Sequence, residues 1–172
     1  MITAPNIKYI CTLKKARKNK VTADEIFMEK ALEEAEKARS EKEVPIGAVV
    51  VRRGEIVGRG YNKREYGKNA LYHAEILAIN DACKNLGGWR LWECELYVTM
   101  EPCPMCAGAI INSRIRRAVF GCKDSKAGSA GSVVNLFELP FNHKPEICGG
   151  VLEERCGNIL SDFFRELRAI KK

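Results

Sequence analysis

ELYVTMEPCPMCAGAIIN, residues 95–112, changes its backbone period halfway along. Leu96, Tyr97, Val98 and Thr99 form an apolar, β-branched and aromatic run, which reads as a strand over Glu95–Met100. Pro102 then supplies a φ suited to the first turn of a helix, and a helix is expected over about 103–112. A strand feeding directly into a helix is a unit of layered α/β architecture. Cys103 and Cys106, at i and i+3, leave one face of that first turn. The partial positive charge of the helix end favours the thiolate, the form that binds a metal.

Upstream, His73-Ala74-Glu75 stands at the start of a second expected helix, Ala74 to Leu86, which stops at Gly87-Gly88. His73, Cys103 and Cys106 are three good zinc ligands, and no fourth protein ligand is evident. A structural zinc site is normally closed by four side chains, whereas a catalytic one has three and a water. Bound water is far more acidic than bulk water, its pKa falling from ~15.7 to about 7. Glu75, a carboxylate beside it, is suited to moving the proton. The constellation points to hydrolysis by a metal-held hydroxide. Two other readings of Cys-x-x-Cys remain open at this level: a redox pair, or half of a structural site completed by Cys122, Cys148 or Cys156. Neither has a use for Glu75. Cys83 and Cys94 carry no motif and read as ordinary thiols.

Further out, Thr22-Ala23-Asp24-Glu25 matches a capping box. It opens a helix over about 23–40 in which Phe27, Ala31, Ala35 and Ala38 recur at helical spacing. After Val44-Pro45 comes a hairpin, Ile46–Val51 and Glu55–Tyr61, turning at Arg53-Gly54. Arg117–Gly121 reads as a short strand, and residues 122–150 as the least regular part. Leu152–Ile170 closes the chain as a helix, with Leu160, Phe163, Phe164 and Leu167 on one side. The element order implies a three-layer α/β/α sandwich with a mixed sheet.

Composition bounds the rest. The 172 residues, 46% of them apolar, suit one domain with a real core. No apolar run approaches the roughly 20 residues of a membrane-spanning helix, and no signal-peptide core is evident. Eight cysteines without an export signal favour a reducing, cytoplasmic setting. The net charge of +7 looks like a nucleic-acid signature, but residues 1–20 hold six basic residues and no acidic one. The remaining 23 basic and 22 acidic residues nearly cancel. An RNA footprint must therefore be a local patch, such as Arg114, Arg116, Arg117, Lys123 and Lys126, or Arg165, Arg168, Lys171 and Lys172. Residues 1–20 are expected to be a disordered extension ahead of a domain at 21–172. They read as an RNA-gripping tail, a solvated extension or the product of a misassigned start.

His-x-Glu with a distant Pro-Cys-x-x-Cys resembles the signature of the zinc-dependent nucleobase deaminases. Within that superfamily, about residues 22–170 are similar to the bacterial tRNA-specific adenosine deaminases. The similarity is carried by Glu43–Val49, Gly60-Tyr61-Asn62, Leu96–Ala109, Ser113–Ser132, and Asn142-His143 with Leu160–Arg165 as the C-terminal helix region. Leu71-Tyr72 departs from it in being bulkier than usual. The resemblance implies a cytidine deaminase-like fold with a five-stranded mixed sheet. It implies one zinc ion per subunit on His73, Cys103 and Cys106, with Glu75 as proton shuttle. Ile46, Asn62, Ala74, Asp124, Lys126 and Phe164 would then contact substrate. The implied reaction is deamination of the wobble adenosine of a tRNA anticodon to inosine by a homodimer. A deaminase of a free base such as guanine and a non-catalytic RNA-binding zinc module are the alternatives.

Overall fold

The computed structural model describes residues 21–170. The basic segment 1–20, with the disorder expected of it, and residues 171–172 lie outside the described residues. The elements in chain order are α1 (Ala23–Ser40), β1 (Gly47–Arg52), β2 (Glu55–Tyr61), α2 (Ala74–Leu86), β3 (Cys94–Met100) and α3 (Pro104–Asn112). After them come β4 (Arg117–Cys122), a 3-10 turn at Leu136–Glu138, β5 (Glu146–Gly149) and α4 (Glu153–Ile170). The five strands form one sheet in the order β2-β1-β3-β4-β5. β1 is antiparallel to both β2 and β3, whereas β3, β4 and β5 run parallel.

Strand alternation sends the two faces of the sheet into two cores. Ala48, Val50, Leu96, Val98, Ala118 and Phe120 pack under α2 and α3 with Ala78, Ile79, Ile110 and Ile115. Val49, Val51, Tyr97 and Val119 pack under α1 and α4 with Met28, Ala31, Ala35, Cys156 and Ile159. The result is the three-layer α/β/α sandwich with a mixed five-stranded sheet. β5 falls inside the stretch expected to be irregular. With only four residues and an exposed, half-buried, buried, exposed pattern, it carries too little periodicity to stand out.

Local signals account for the boundaries. Thr22 and Glu25 form the expected capping box, Glu25 N–H donating to Thr22 Oγ1 at 3.2 Å. Arg53 and Gly54, at φ 53° and 84°, make the positive-φ turn that suits a two-residue hairpin. Gly87 ends α2 in the left-handed conformation at φ 69°.

On α4, Leu160 and Phe163 are buried, while Phe164 and Leu167 on the same side stand 40% and 38% exposed, at the edge of the stripe that rests on the sheet. One expectation is corrected. Asn142 and His143 lie in the loop before β5 and not in a C-terminal helix. Asn142 Oδ1 accepts from Arg114 Nη1 at 3.0 Å, and His143 Nε2 lies 2.7 Å from Ile115 O.

Candidate functional site

The C-terminal ends of β3 and β4 and the N-terminal end of β1 share one edge of the sheet. A cleft on that edge is lined by Val44, Ile46, Asn62, Arg64, His73, Ala74, Glu75, Met100, Glu101, Cys103 and Asp124. Clefts outside strand ends are the usual binding places of open α/β sheets.

His73 and Cys103 are the N-cap residues of α2 and α3, in extended backbone conformation, and neither side chain caps its own helix. Ser, Thr, Asp or Asn would normally occupy these positions and bond the exposed N–H groups. Both side chains instead turn towards each other. His73 Nδ1 lies 3.6 Å from Cys103 Sγ and 3.6 Å from Cys106 Sγ. The three donor atoms all fall within 4.8 Å of one another, a spacing that can hold a metal ion. Among the described residues no other His/Cys/Asp/Glu group of this kind forms, so Cys122, Cys148 and Cys156 do not complete a four-cysteine site. Cys122 Sγ instead lies 3.4 Å from Thr99 O.

The site's protonation follows from its packing. Hydrogen bonding from Cys106 and then His73, opposed by burial, draws the Cys103 thiol down to about 4. The same contact with Cys103, reinforced by burial, holds the proton on Cys106. His73 is raised, chiefly by its bond to Cys103. Glu75 is 4% exposed, and loss of water pushes its carboxyl up to about 7. A carboxyl near neutrality both takes and returns a proton at physiological pH. Glu75 occupies the second position of α2, so the two-residue spacing from His73 still lets both border the cleft: His73 lies outside regular helical geometry.

Of the other expected contact residues, Ile46, Asn62, Ala74 and Asp124 line this cleft. Cys106 is buried behind it. Lys126 and Phe164 are not in its wall: Lys126 is exposed on the loop after β4, its N–H donating to Asp124 Oδ1 at 2.9 Å. Phe164 stacks edge-on against Phe163 at 5.5 Å. The candidate basic patch divides. Arg117 is at the opposite end of β4 and is engaged by Asp24, at 2.7 and 2.8 Å, and by Glu95. Arg116 likewise pairs with Glu95.

Two carboxylates in the quoted motifs received no role from the sequence. Glu101, 3% exposed, accepts the N–H groups of Asp124, Ala130 and Ser132 at 3.1, 2.9 and 3.1 Å, and the Ser132 hydroxyl as well. It therefore ties the loop bearing Asp124 to the strand that leads into Cys103. Glu43 does the corresponding work on the other wall, bonding Asn62 and the Tyr66 N–H. For Glu101 the sequence signal is its place between Met100 and Pro102, where an acid must find donors; Glu43, directly after Glu41-Lys42, carries no such signal.

The model of the MafB19-like deaminase family matches residues 22–168. A tRNA-specific adenosine deaminase of Bacillus subtilis (strain 168) is 54% identical over 153 residues, which cover 88% of this chain and 95% of that protein. One from Haemophilus influenzae (strain Rd) is 46% identical over 151 residues, covering 87% of each. A solved structure from work on A-to-I editing by tRNA:A34 deaminases at the wobble position superposes with a TM-score of 0.76 at 44% identity. It covers 78% of this chain and 99% of that one.

Proposed function

This chain belongs to the MafB19-like deaminase family and, within it, to the tRNA-specific adenosine deaminases, and we propose that it converts the wobble adenosine of a tRNA anticodon to inosine. The observation that carries this reading is the convergence of His73, Cys103 and Cys106 beside a buried, near-neutral Glu75 in a cleft that also contains Asn62.

The donor set fits zinc: one imidazole nitrogen and two sulfurs, one already inclined to thiolate, from a rigid pair of helix ends. Three protein donors leave a coordination position for a reactant. Zinc bound to His73, Cys103 and Cys106 would supply an acidified water, with its pKa lowered towards about 7. Glu75 would take the proton of an attacking water and pass it to the ring nitrogen beside the amino-bearing carbon as oxygen adds to that carbon. It would then carry the remaining hydroxyl proton to the exocyclic nitrogen, which departs as ammonia as the carbonyl forms. Water and adenosine are consumed, and inosine and ammonia are formed. Burial of Glu75 keeps the exchanged proton from bulk water during this transfer.

A base inside a stack cannot reach a carboxylate 4% exposed at the bottom of a cleft, so the substrate base must be splayed out, as in a single-stranded loop. Ile46 offers an apolar wall to its ring, and Asn62 an amide to its edge. Asp124 and Lys126 stand where the sugar-phosphate path leaves the cleft, and Phe164 offers an exposed ring to a flanking nucleotide. A homodimer is the assembly that fits this reading, and exposed Leu71 and Tyr72, next to His73, supply apolar surface for it. No helix among the described residues is long and apolar enough to cross a membrane.

The test is inosine formation on an anticodon stem-loop carrying adenosine at the wobble position, with zinc content measured on the same protein. Inosine there, with no ammonia released from guanine or free adenosine, is the expected outcome. Release from guanine without inosine in RNA would replace this reading with the free-base one.

A further inference from the structure

Glu43 stands outside the reacting groups, in the connection from α1 to β1, and is 1% exposed. Its Oε2 accepts from Asn62 Nδ2 at 3.1 Å, and its Oε1 accepts the Tyr66 backbone N–H at 2.7 Å. A carboxylate offers acceptors only, so the Asn62 amide has one orientation open to it, nitrogen towards Glu43 and oxygen away. The Tyr66 N–H stops the carboxylate itself from rotating. At the other end of the residue, Asn62 N–H donates to Ile46 O at 3.0 Å, which holds its backbone against the strand start. Asn62 is 4% exposed, and the atoms it shows to the cleft are therefore decided by Glu43. An asparagine without such a partner can turn its amide over and offer a base either polarity.

We propose that Glu43 is a positioning residue that sets the hydrogen-bond polarity Asn62 presents to the bound base. The inference rests on the reading of Asn62 as a base contact. Its consequence is selectivity: a base edge complementary to the fixed amide is accepted, and one of reversed polarity leaves buried groups unpaired. Glu43 reaches this effect without touching the base.

Glu43→Gln is the informative change, because it keeps the shape. The Tyr66 N–H is a backbone donor and claims the oxygen of the introduced amide. The new NH2 then faces Asn62, which must turn over to accept from it. Asn62→Ala, Glu43→Gln and the double variant form a cycle read as kcat/KM on the anticodon stem-loop. Asn62→Ala is expected to lose roughly 10- to 100-fold, and Glu43→Gln a comparable factor. In the Asn62→Ala background Glu43→Gln should cost nothing further, and zinc content should be equal throughout. Losses that multiply overturn the proposal, as does a wild-type rate for Glu43→Gln beside a slow Asn62→Ala. A wild-type rate for Asn62→Ala overturns the base-contact reading and this inference together, a signature distinct from the other two. The wild-type protein supplies a check independent of any variant's folding. One side-chain amide proton of Asn62, identified by NMR against Asn62→Ala, should exchange slowly with water. Fast, equal exchange of both protons contradicts the proposal.

Discussion

Gly60→Ala is a one-methyl change on β2 that should reach the reacting groups through a helix. A Cβ on Gly60 would lie 2.3 Å from Ala74 O and 2.5 Å from Ala78 N, and on Gly58 it would lie 2.3 Å from Ala78 O. The backbone of α2 thus rests directly on two glycines of β2, and no flexible side chain intervenes to yield. Ordinary contact begins at 3.4 Å, so the first turn of α2 must retreat by about 1 Å. That turn begins with His73 and carries Glu75. Overpacking of this kind costs about 1–3 kcal/mol, or roughly 3–10 °C in Tm for a domain of this size. A misplacement of about 1 Å at reacting groups is worth on the order of 100-fold in rate. The assays are thermal unfolding and kcat on the anticodon stem-loop, with zinc content as the control for misfolding. Gly88→Ala is the matched comparison, since nothing lies within 4 Å of its Cβ position, and it should leave both quantities unchanged. Gly60→Ala with wild-type Tm and kcat would falsify the claim that close backbone contact sets the position of α2.

Glu75→Gln should keep its zinc and lose on the order of 100- to 10,000-fold in kcat; unchanged turnover would remove Glu75 from the mechanism. Because Glu75 must begin deprotonated, and burial raises its carboxyl to about 7 while a bound cation draws it down, the acid limb of kcat/KM should lie at or below about pH 7. A rate that climbs from pH 8 to pH 5 contradicts this. Asp24 is lowered, first by its hydrogen bond to Arg117, so its contribution is present above its unfolded value and is lost as pH falls through the folded one. Asp24→Asn should therefore cost about 1.5–3 kcal/mol at pH 7, a deficit measured by denaturant unfolding that narrows as pH falls below the ordinary carboxylate value of 3.8 and through the lowered one; a deficit independent of pH rejects the ion pair as its source. Chelator should lower Tm in the wild type by removing a ligand of the folded state, and leave His73→Ala unmoved.

Much of the fold was readable because the signals were local. The Thr22–Glu25 capping box, the Arg53-Gly54 turn and Gly87 each act within a few residues, and the helices and strands they bound appear where the periodicity places them. β5 was not readable, since four residues beside a loop have no period to read and its pairing with β4 is made by distant chain. The C-terminal helix shows the same limit. Leu160, Phe163, Phe164 and Leu167 share one helical side, but only the sheet decides that burial ends at Phe163. Arg117 is the electrostatic case: as a residue type it suits RNA, yet Asp24, 93 positions away in the chain, already occupies it.

By itself the sequence determined the donor types of the site, since His73, Cys103, Cys106 and Glu75 state their chemistry by identity and by their spacing at two helix starts. It also determined the layered order of helices and strands up to β4, and the closing helix. Only the tertiary structure decided that the two helix starts meet, with donor atoms inside 4.8 Å. It alone decided that Glu75 loses enough water to titrate near 7, and that Glu43 and Glu101 turn their acceptors onto Asn62 and the Asp124 loop. The physical reason is range. Propensity and capping act over a turn or two of chain, whereas desolvation and hydrogen-bond polarity depend on every group that packing brings around an atom.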